Sequence, residues 1–335
     1  MFSVDLTTGA ITLESNYVGE VTYDYDTWGY VGDNFAGLSF INEDANSGMP
    51  EAPIDPKDGV EWVSATTTLG GSIGLNFYVK LPASIVNDPT TVVRFTYGNN
   101  VVDVPMAEAV VSEKDGVIRY RFSLPLAAKE IADTVTAQVM NDSGALGDAI
   151  QYSVQKYCAN KLNSESMADV AKALLNYGTA AQLLFNHNTE NLANSVLDEA
   201  DRILPDVDAS AFASKVTGSE EGISAKSATL MLEDEVSVRV YFKLTEGADI
   251  ADYSFTINGE AAEVHQNEKG YYVETAPIAA KNLDEMFQIS VGGLTVTYGA
   301  LSYVNSKLAS TDANVVYMAK ALFAYNAAVD AYFGG

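Results

Sequence analysis

The chain carries one stretch of sequence twice, and that constrains its fold more than any other feature. Ser64-Ala65-Thr66-Thr67-Thr68-Leu69 matches Ser227-Ala228-Thr229-Leu230-Met231-Leu232, and Phe77-Tyr78-Val79-Lys80-Leu81 matches Val240-Tyr241-Phe242-Lys243-Leu244, both at an offset of 163. Tyr120 through Ala127-Ala128-Lys129 matches Tyr272 through Ala279-Ala280-Lys281 at 152, with Pro125 on Pro277. Tyr152 and Tyr157 match Tyr298 and Tyr303 at 146. Ala171-Lys172-Ala173-Leu174, Tyr177 and Phe185 match Ala319-Lys320-Ala321-Leu322, Tyr325 and Phe333 at 148. The order of matches never changes. The offset falls from 163 to 148, which makes the second copy 15 residues shorter over this stretch. Loops absorb such differences and cores do not. The chain therefore divides into an N-terminal segment 1–58, copy one at 59–199, a linker 200–220 and copy two at 221–335.

Each copy shows the same change of hydrophobic period. Alternation marks strands at Gly74–Leu81, Val92–Tyr97 and Val117–Phe122, with a further strand at Thr134–Met140. Gly98-Asn99-Asn100 predicts a hairpin turn before Val101–Val104, and Asn258-Gly259 predicts one between Tyr253–Ile257 and Ala261–Val264. Helical spacing then takes over. Met167, Val170, Ala171, Leu174, Gly178, Ala181 and Phe185 form one stripe, and Val315, Met318, Ala319, Leu322, Asn326, Val329 and Phe333 form its counterpart. Ser164 is the expected N-cap, and a shorter helix is expected at Tyr152–Leu162. The predicted class is α+β: two tandem β-sandwich-like modules, each followed by a helical hairpin. Residues 1–58 form an aromatic-rich β segment ahead of them, and Pro50, Pro53 and Pro56 mark an extended connection.

Several of these stretches resemble a known kind of module. They are Thr68–Val79, Ala127–Val139 and Leu174–Phe185, the last followed by Asn188-Thr189-Glu190-Asn191-Leu192-Ala193-Asn194. They are similar to the tandem modules of large secreted, cell-surface polysaccharide-handling proteins of gut clostridia, of cellulosome- or amylosome-like type. The resemblance covers copy one better than copy two, which has Ala324-Tyr325-Asn326 where copy one has Asn176-Tyr177-Gly178. It implies an accessory part of a larger multidomain chain, extracellular and cell-surface associated, with no catalytic motif of its own.

Composition bounds the chemistry. The chain has 335 residues, and 45 Asp and Glu against 19 Lys and Arg give a net charge of −26, which argues against nucleic acid and anionic membrane surfaces as partners. Hydrophobic residues make up 47%, ample for a core and against disorder. Cys158 stands alone and His187 and His265 are the only histidines, so multi-cysteine zinc sites and three-histidine metal sites are impossible. Gly70-Gly71-Ser72-Ile73-Gly74 spells a nucleophile-elbow pattern, but a strand-like run follows it where a helix is required. No P-loop, dinucleotide-binding or EF-hand pattern occurs. No apolar run is long enough to insert in a membrane, and Met1-Phe2-Ser3-Val4-Asp5 lacks the character of a signal peptide. No cofactor or metal is expected.

The candidate ligand site is Tyr23-Asp24-Tyr25-Asp26-Thr27-Trp28-Gly29-Tyr30. Sugar rings present apolar faces and hydroxyl edges, which suits stacking aromatics beside carboxylates. Tyr23, Tyr25, Asp26, Trp28 and Tyr30 are its expected contacts, with Trp62 as a second stacking residue; the alternative is a half-buried structural strand and a packed Trp62. Asp24/Asp26 and Asp206/Asp208 are D-x-D pairs without the spacing of a calcium loop. The expected function is non-catalytic binding of a polysaccharide, a glucan such as starch. The alternatives are a cell-surface adhesin that binds a host protein or glycoprotein, and a structural spacer.

Overall fold

The computed structural model describes residues 2–4, 11–13, 57–68, 72–114, 116–232 and 235–333. Phe2–Val4 (β1) pairs antiparallel with Ile11–Leu13 (β2). The chain then runs through Glu61–Thr68 (β3), Gly74–Lys80 (β4), the single turn Ala83–Val86 (α1), Val92–Tyr97 (β5), Asn100–Pro105 (β6), Val110–Lys114 (β7), Val117–Pro125 (β8), Val135–Asn141 (β9) and Gly144–Tyr152 (β10). Helices Val154–Lys161 (α2) and Ala168–Phe185 (α3) follow. Beyond them lie Lys215–Thr217 (β11), Ile223–Met231 (β12), Ser237–Leu244 (β13), Phe255–Ile257 (β14), Glu260–Ala262 (β15), Val264–Asn267 (β16), Gly270–Glu274 (β17), Met286–Val291 (β18) and Leu294–Gly299 (β19). Helices Ala300–Lys307 (α4) and Ala313–Phe333 (α5) close the described chain.

The strands form sheets of order β3-β4-β8-β7 and β10-β9-β5-β6, then β12-β13-β17-β16 and β11-β19-β18-β14-β15. Every pairing is antiparallel. Antiparallel sheets keep one face for the core, which is why the sequence alternates. Leu75, Phe77 and Val79 of β4 are wholly buried. The Phe77 ring lies 5.3 Å from Phe95 on the facing sheet, and Phe242 lies 5.0 Å from Phe255 in the same relation. These contacts close two β-sandwiches.

Register corrects two expectations. Tyr78 faces Arg121 and Phe77 faces Phe122, whereas Tyr241 faces Tyr272 and Val240 faces Val273. Arg121, not Tyr120, is therefore the counterpart of Tyr272. The second copy then carries one extra residue, because Leu126 N–H bonds Ile73 O while Ile278 N–H bonds Val236 O. The end of the expected linker is also a strand: Lys215–Thr217 pairs with Thr295–Thr297 and forms the edge of a five-stranded sheet.

Ser164 caps a turn rather than the long helix. Its Oγ accepts from Met167 N at 3.3 Å, and α3 starts at Ala168. Ser153 caps α2 by accepting from Lys156 N at 3.0 Å. α3 ends at Asn186 in the left-handed region, φ 51°. Gly178 lets α3 approach the turn after β8, since a β-carbon there would meet Ile131 Cδ1 at 2.1 Å.

α3 packs along α5. At the contact Tyr177 and Tyr325, counterparts in the repeat, stack with ring centroids 5.4 Å apart and planes 15° from parallel. Ser72 Oγ likewise meets the Oε1 of its counterpart Glu235 at 3.3 Å. Residues related by the repeat thus meet each other at two places on the seam between the sequence copies. Asn194 reinforces the seam by donating to Asn176 Oδ1 at 2.9 Å and to the Tyr317 hydroxyl of α5 at 3.1 Å.

Tyr177→Ala and Tyr325→Ala are each expected to cost about 3–5 kcal/mol in denaturant unfolding. The double variant is expected to lose less than the sum by roughly 0.5–1.5 kcal/mol, the stacking energy counted twice. Strict additivity would contradict the stacked arrangement.

Candidate functional site

The expected contacts Tyr23, Tyr25, Asp26, Trp28 and Tyr30, and with them Asp24, lie outside the described residues. Trp62 lies within them, and its expectation as a stacking residue is corrected. Only 2% of Trp62 is exposed. Its ring meets Phe77 edge-on at 6.2 Å, and its Nε1–H donates to Asp148 O at 2.8 Å. The cause is a bulge between Trp62 and Ser64, which lets residues of opposite parity, Trp62 and Ala65, both face inward.

The other sequence candidates resolve into local structure. Asp206 accepts from Lys320 Nζ at 2.6 Å, and Asp208 accepts from Ser210 N at 2.9 Å. Among the described residues no three His, Cys, Asp or Glu side chains gather as metal ligands. His187 Nε2 lies 2.8 Å from Asp133 Oδ2, and Asn188 donates to the other oxygen at 2.6 Å, which ties the end of α3 to the loop before β9. Ser72 is followed by strand β4, so the glycine-flanked serine is no elbow. Among the described residues no helix is long and apolar enough to cross a membrane.

A set that the sequence did not single out lies on the outer face of β12-β13-β17-β16. Val240, Phe242 and Val273 point into the core, so the alternate residues Arg239, Tyr241, Tyr272 and Glu274 point out. Tyr241, Tyr272 and His265 stand directly opposite one another across β13, β17 and β16. Their rings follow at centroid distances of 5.3 and 5.4 Å. Arg239 lies over Tyr272, its Cζ 4.3 Å from the ring centroid, and donates to Glu274 Oε2 from Nε at 3.0 Å and from Nη2 at 2.7 Å. Ser237 Oγ donates to Glu274 Oε1. Asn267 donates to the Tyr241 hydroxyl at 3.1 Å. Burial opposes ionisation of the Tyr241 phenol, but the Asn267 amide and Arg239 guanidinium outweigh it and hold the phenol below its ordinary value. Tyr241 is buried, Tyr272 half-buried and His265 exposed.

The result is a row of three rings at the strand spacing, tilted 44° and 33° to one another, with Tyr272 and His265 reaching solvent and an amide and a neutralised ion pair at the edge. Such a surface can pack the apolar face of a ring and bond the groups at its rim. A groove of about 890 Å³ adjoins the row, and its lining includes His265, Glu274, Asn258, Glu260, Glu263 and Phe287. A second cleft of about 660 Å³ lies between the sequence copies, with Ser72, Tyr97 and Asn100 on one side and Glu235 and Pro277 on the other.

Cys158 is wholly enclosed. Burial pushes its thiol from 9.0 up to about 12 and the Tyr152 phenol from 10.0 up to about 12. The thiol is therefore not a nucleophile at neutral pH. The unfolded chain releases both protons at ordinary values while the folded chain keeps them, so stability is full below about pH 9 and falls as pH rises toward 12. The urea midpoint is expected to be lower at pH 11 than at pH 8, and an unchanged midpoint would contradict this burial.

No protein-family model matches the chain, and no curated protein matches it. Among solved structures, the crystal structure of the mouse nectin-like molecule 4 full ectodomain (Ig1–Ig3) is similar to it at 11% identity and a TM-score of 0.17, with 74% of this chain and 64% of that chain covered. The chain thus spans less than two thirds of that ectodomain's length.

Proposed function

We propose that the chain is a non-catalytic, extracellular, cell-surface carbohydrate-binding protein whose ligand is a neutral glucan such as starch. In this reading 59–199 and 221–335 are two copies of one α+β module, a β-sandwich followed by a helical hairpin. The observation that carries the reading is the row Tyr241–Tyr272–His265, backed by Arg239 over Tyr272. Arg239 and Glu274 neutralise each other, so the row favours an uncharged ligand. Hydroxyl groups at the rim of a sugar would meet Asn267, His265 and Glu274, while its apolar face would lie on Tyr272. The −26 net charge does not oppose approach of a neutral polymer. The aromatic segment Tyr23–Tyr30 is a second proposed contact, and two weak sites on one chain raise retention on a polymer by avidity.

Retention of the full chain on insoluble starch tests this. Tyr272→Ala is expected to weaken binding about tenfold, or about 1.4 kcal/mol, as a stacking ring is lost. A Tyr272→Ala protein that is folded and retained as strongly as the parent would refute the assignment of the site. Absence of retention of the parent chain on starch would refute the ligand.

A further inference from the structure

We infer that the corresponding face of copy one, on β3-β4-β8-β7, binds an anionic glycan whose charge is carried by carboxylate groups. The site is the outward set of β8. Phe122 and Leu124 are buried in the core, so Arg119 and Arg121 share the opposite face. Two residues of strand separate them by about 7 Å.

Neither arginine is neutralised by any of the described residues. The Nε of each is covered from solvent and lacks a hydrogen-bond acceptor, and neither forms an ion pair among the described residues. Both residues still keep part of their surface in solvent. The chain has three other arginines, and all are engaged. Arg94 pairs with Asp103 at 2.7 Å, Arg239 pairs with Glu274 at 2.7 Å, and Arg202 donates to Leu197 O and to Ser195 O. With 45 acidic side chains available, partners for two more arginines are not scarce. Two like charges held side by side without a counter-charge repel each other, and an anion that enters between them relieves this.

Copy two shows what the face looks like when it is neutral. Asn76 faces Ser123 where Arg239 faces Glu274, and Arg121 stands where Tyr272 stands. The acidic partner is thus missing from the copy that carries the arginine pair. Ser112, directly opposite Arg119, and Thr66, on the same face, also have buried hydroxyls without partners. Asn76 lies between β3 and β8, bonded to Thr68 and Ser123. Guanidinium groups bind planar carboxylates through paired bonds, and the neighbouring hydroxyls suit a ligand rich in hydroxyl groups. A polymer with a carboxylate on each sugar meets both requirements at this face; the chain's net charge of −26 opposes its long-range approach, so retention is expected where salt screens that charge and the short-range guanidinium contacts act. The chemical class of this ligand rests on the carbohydrate-binding reading; the position of the site does not.

The test is affinity electrophoresis of the full chain in gels that contain polygalacturonate, amylose, dextran sulfate or polyglutamate. Polygalacturonate is expected to retard the parent chain. R119Q/R121Q is expected to weaken that retention at least tenfold and to leave amylose retention unchanged. R94Q, which removes one charge elsewhere, and Tyr272→Ala are expected to bind polygalacturonate as the parent does. Should the double variant not fold, phenylglyoxal modification of the parent replaces it: polygalacturonate is expected to protect Arg119 and Arg121, read by peptide mass. No retention by polygalacturonate, equal retention of a folded double variant, or equal modification with and without polymer would overturn the site. Retention by dextran sulfate or polyglutamate as strong as by polygalacturonate would overturn the ligand class. Failure on amylose with success on polygalacturonate removes the neutral-glucan reading alone, and the reverse removes this inference alone.

Discussion

The rest of the structure depends on one contact, the stack of Tyr177 on Tyr325 between α3 and α5. Each ring is almost wholly buried, and each comes from the helix that ends its copy of the sequence repeat. A helix with apolar residues on most of its circumference needs a cover on two sides. α3 packs on the turn after β8 and on α5, and α5 packs on the turn after β17. The two copies of the sequence thus cover each other's long helix, and a single copy would leave that surface of its helix in water.

With the helices committed to this seam, the sheets keep their outer faces free to differ. The alternation of a strand separates the two roles. Inward residues of β4 and β13 are Leu75, Phe77 and Val79 against Val238, Val240 and Phe242, nearly interchangeable. Outward residues of β8 and β17 are Arg119 and Arg121 against Gly270 and Tyr272, which are not. Substitution on an outer face costs little packing. The repeated sequence thus keeps its inward residues alike while its outward residues differ.

The sequence made the strands and helices legible wherever a period ran long enough. Val92–Tyr97, the Asn258-Gly259 hairpin and the α3 stripe all fall within a residue or two of their expected places. Asn258 and Gly259 do adopt the positive φ that such a turn demands, 52° and 86°. What failed were questions of which way a side chain points. Trp62 follows no simple alternation because a bulge shifts the parity of β3, and a bulge leaves no clear mark in a single sequence. The match of Tyr120 to Tyr272 joined identical letters across a one-residue insertion that register alone reveals. The same slip hid the candidate site, since Tyr272 passed as a repeat marker and not as the centre of a ring row. Lys215–Thr217 escaped notice because three exposed residues carry too little periodicity to mark an edge strand.

Differential scanning calorimetry of the intact chain tests the central claim most directly, since a seam made by Tyr177 and Tyr325 couples the unfolding of the two copies. One transition over both copies, with calorimetric and van't Hoff enthalpies equal, is the predicted result. Two separate transitions, each with the enthalpy of one copy, would contradict it.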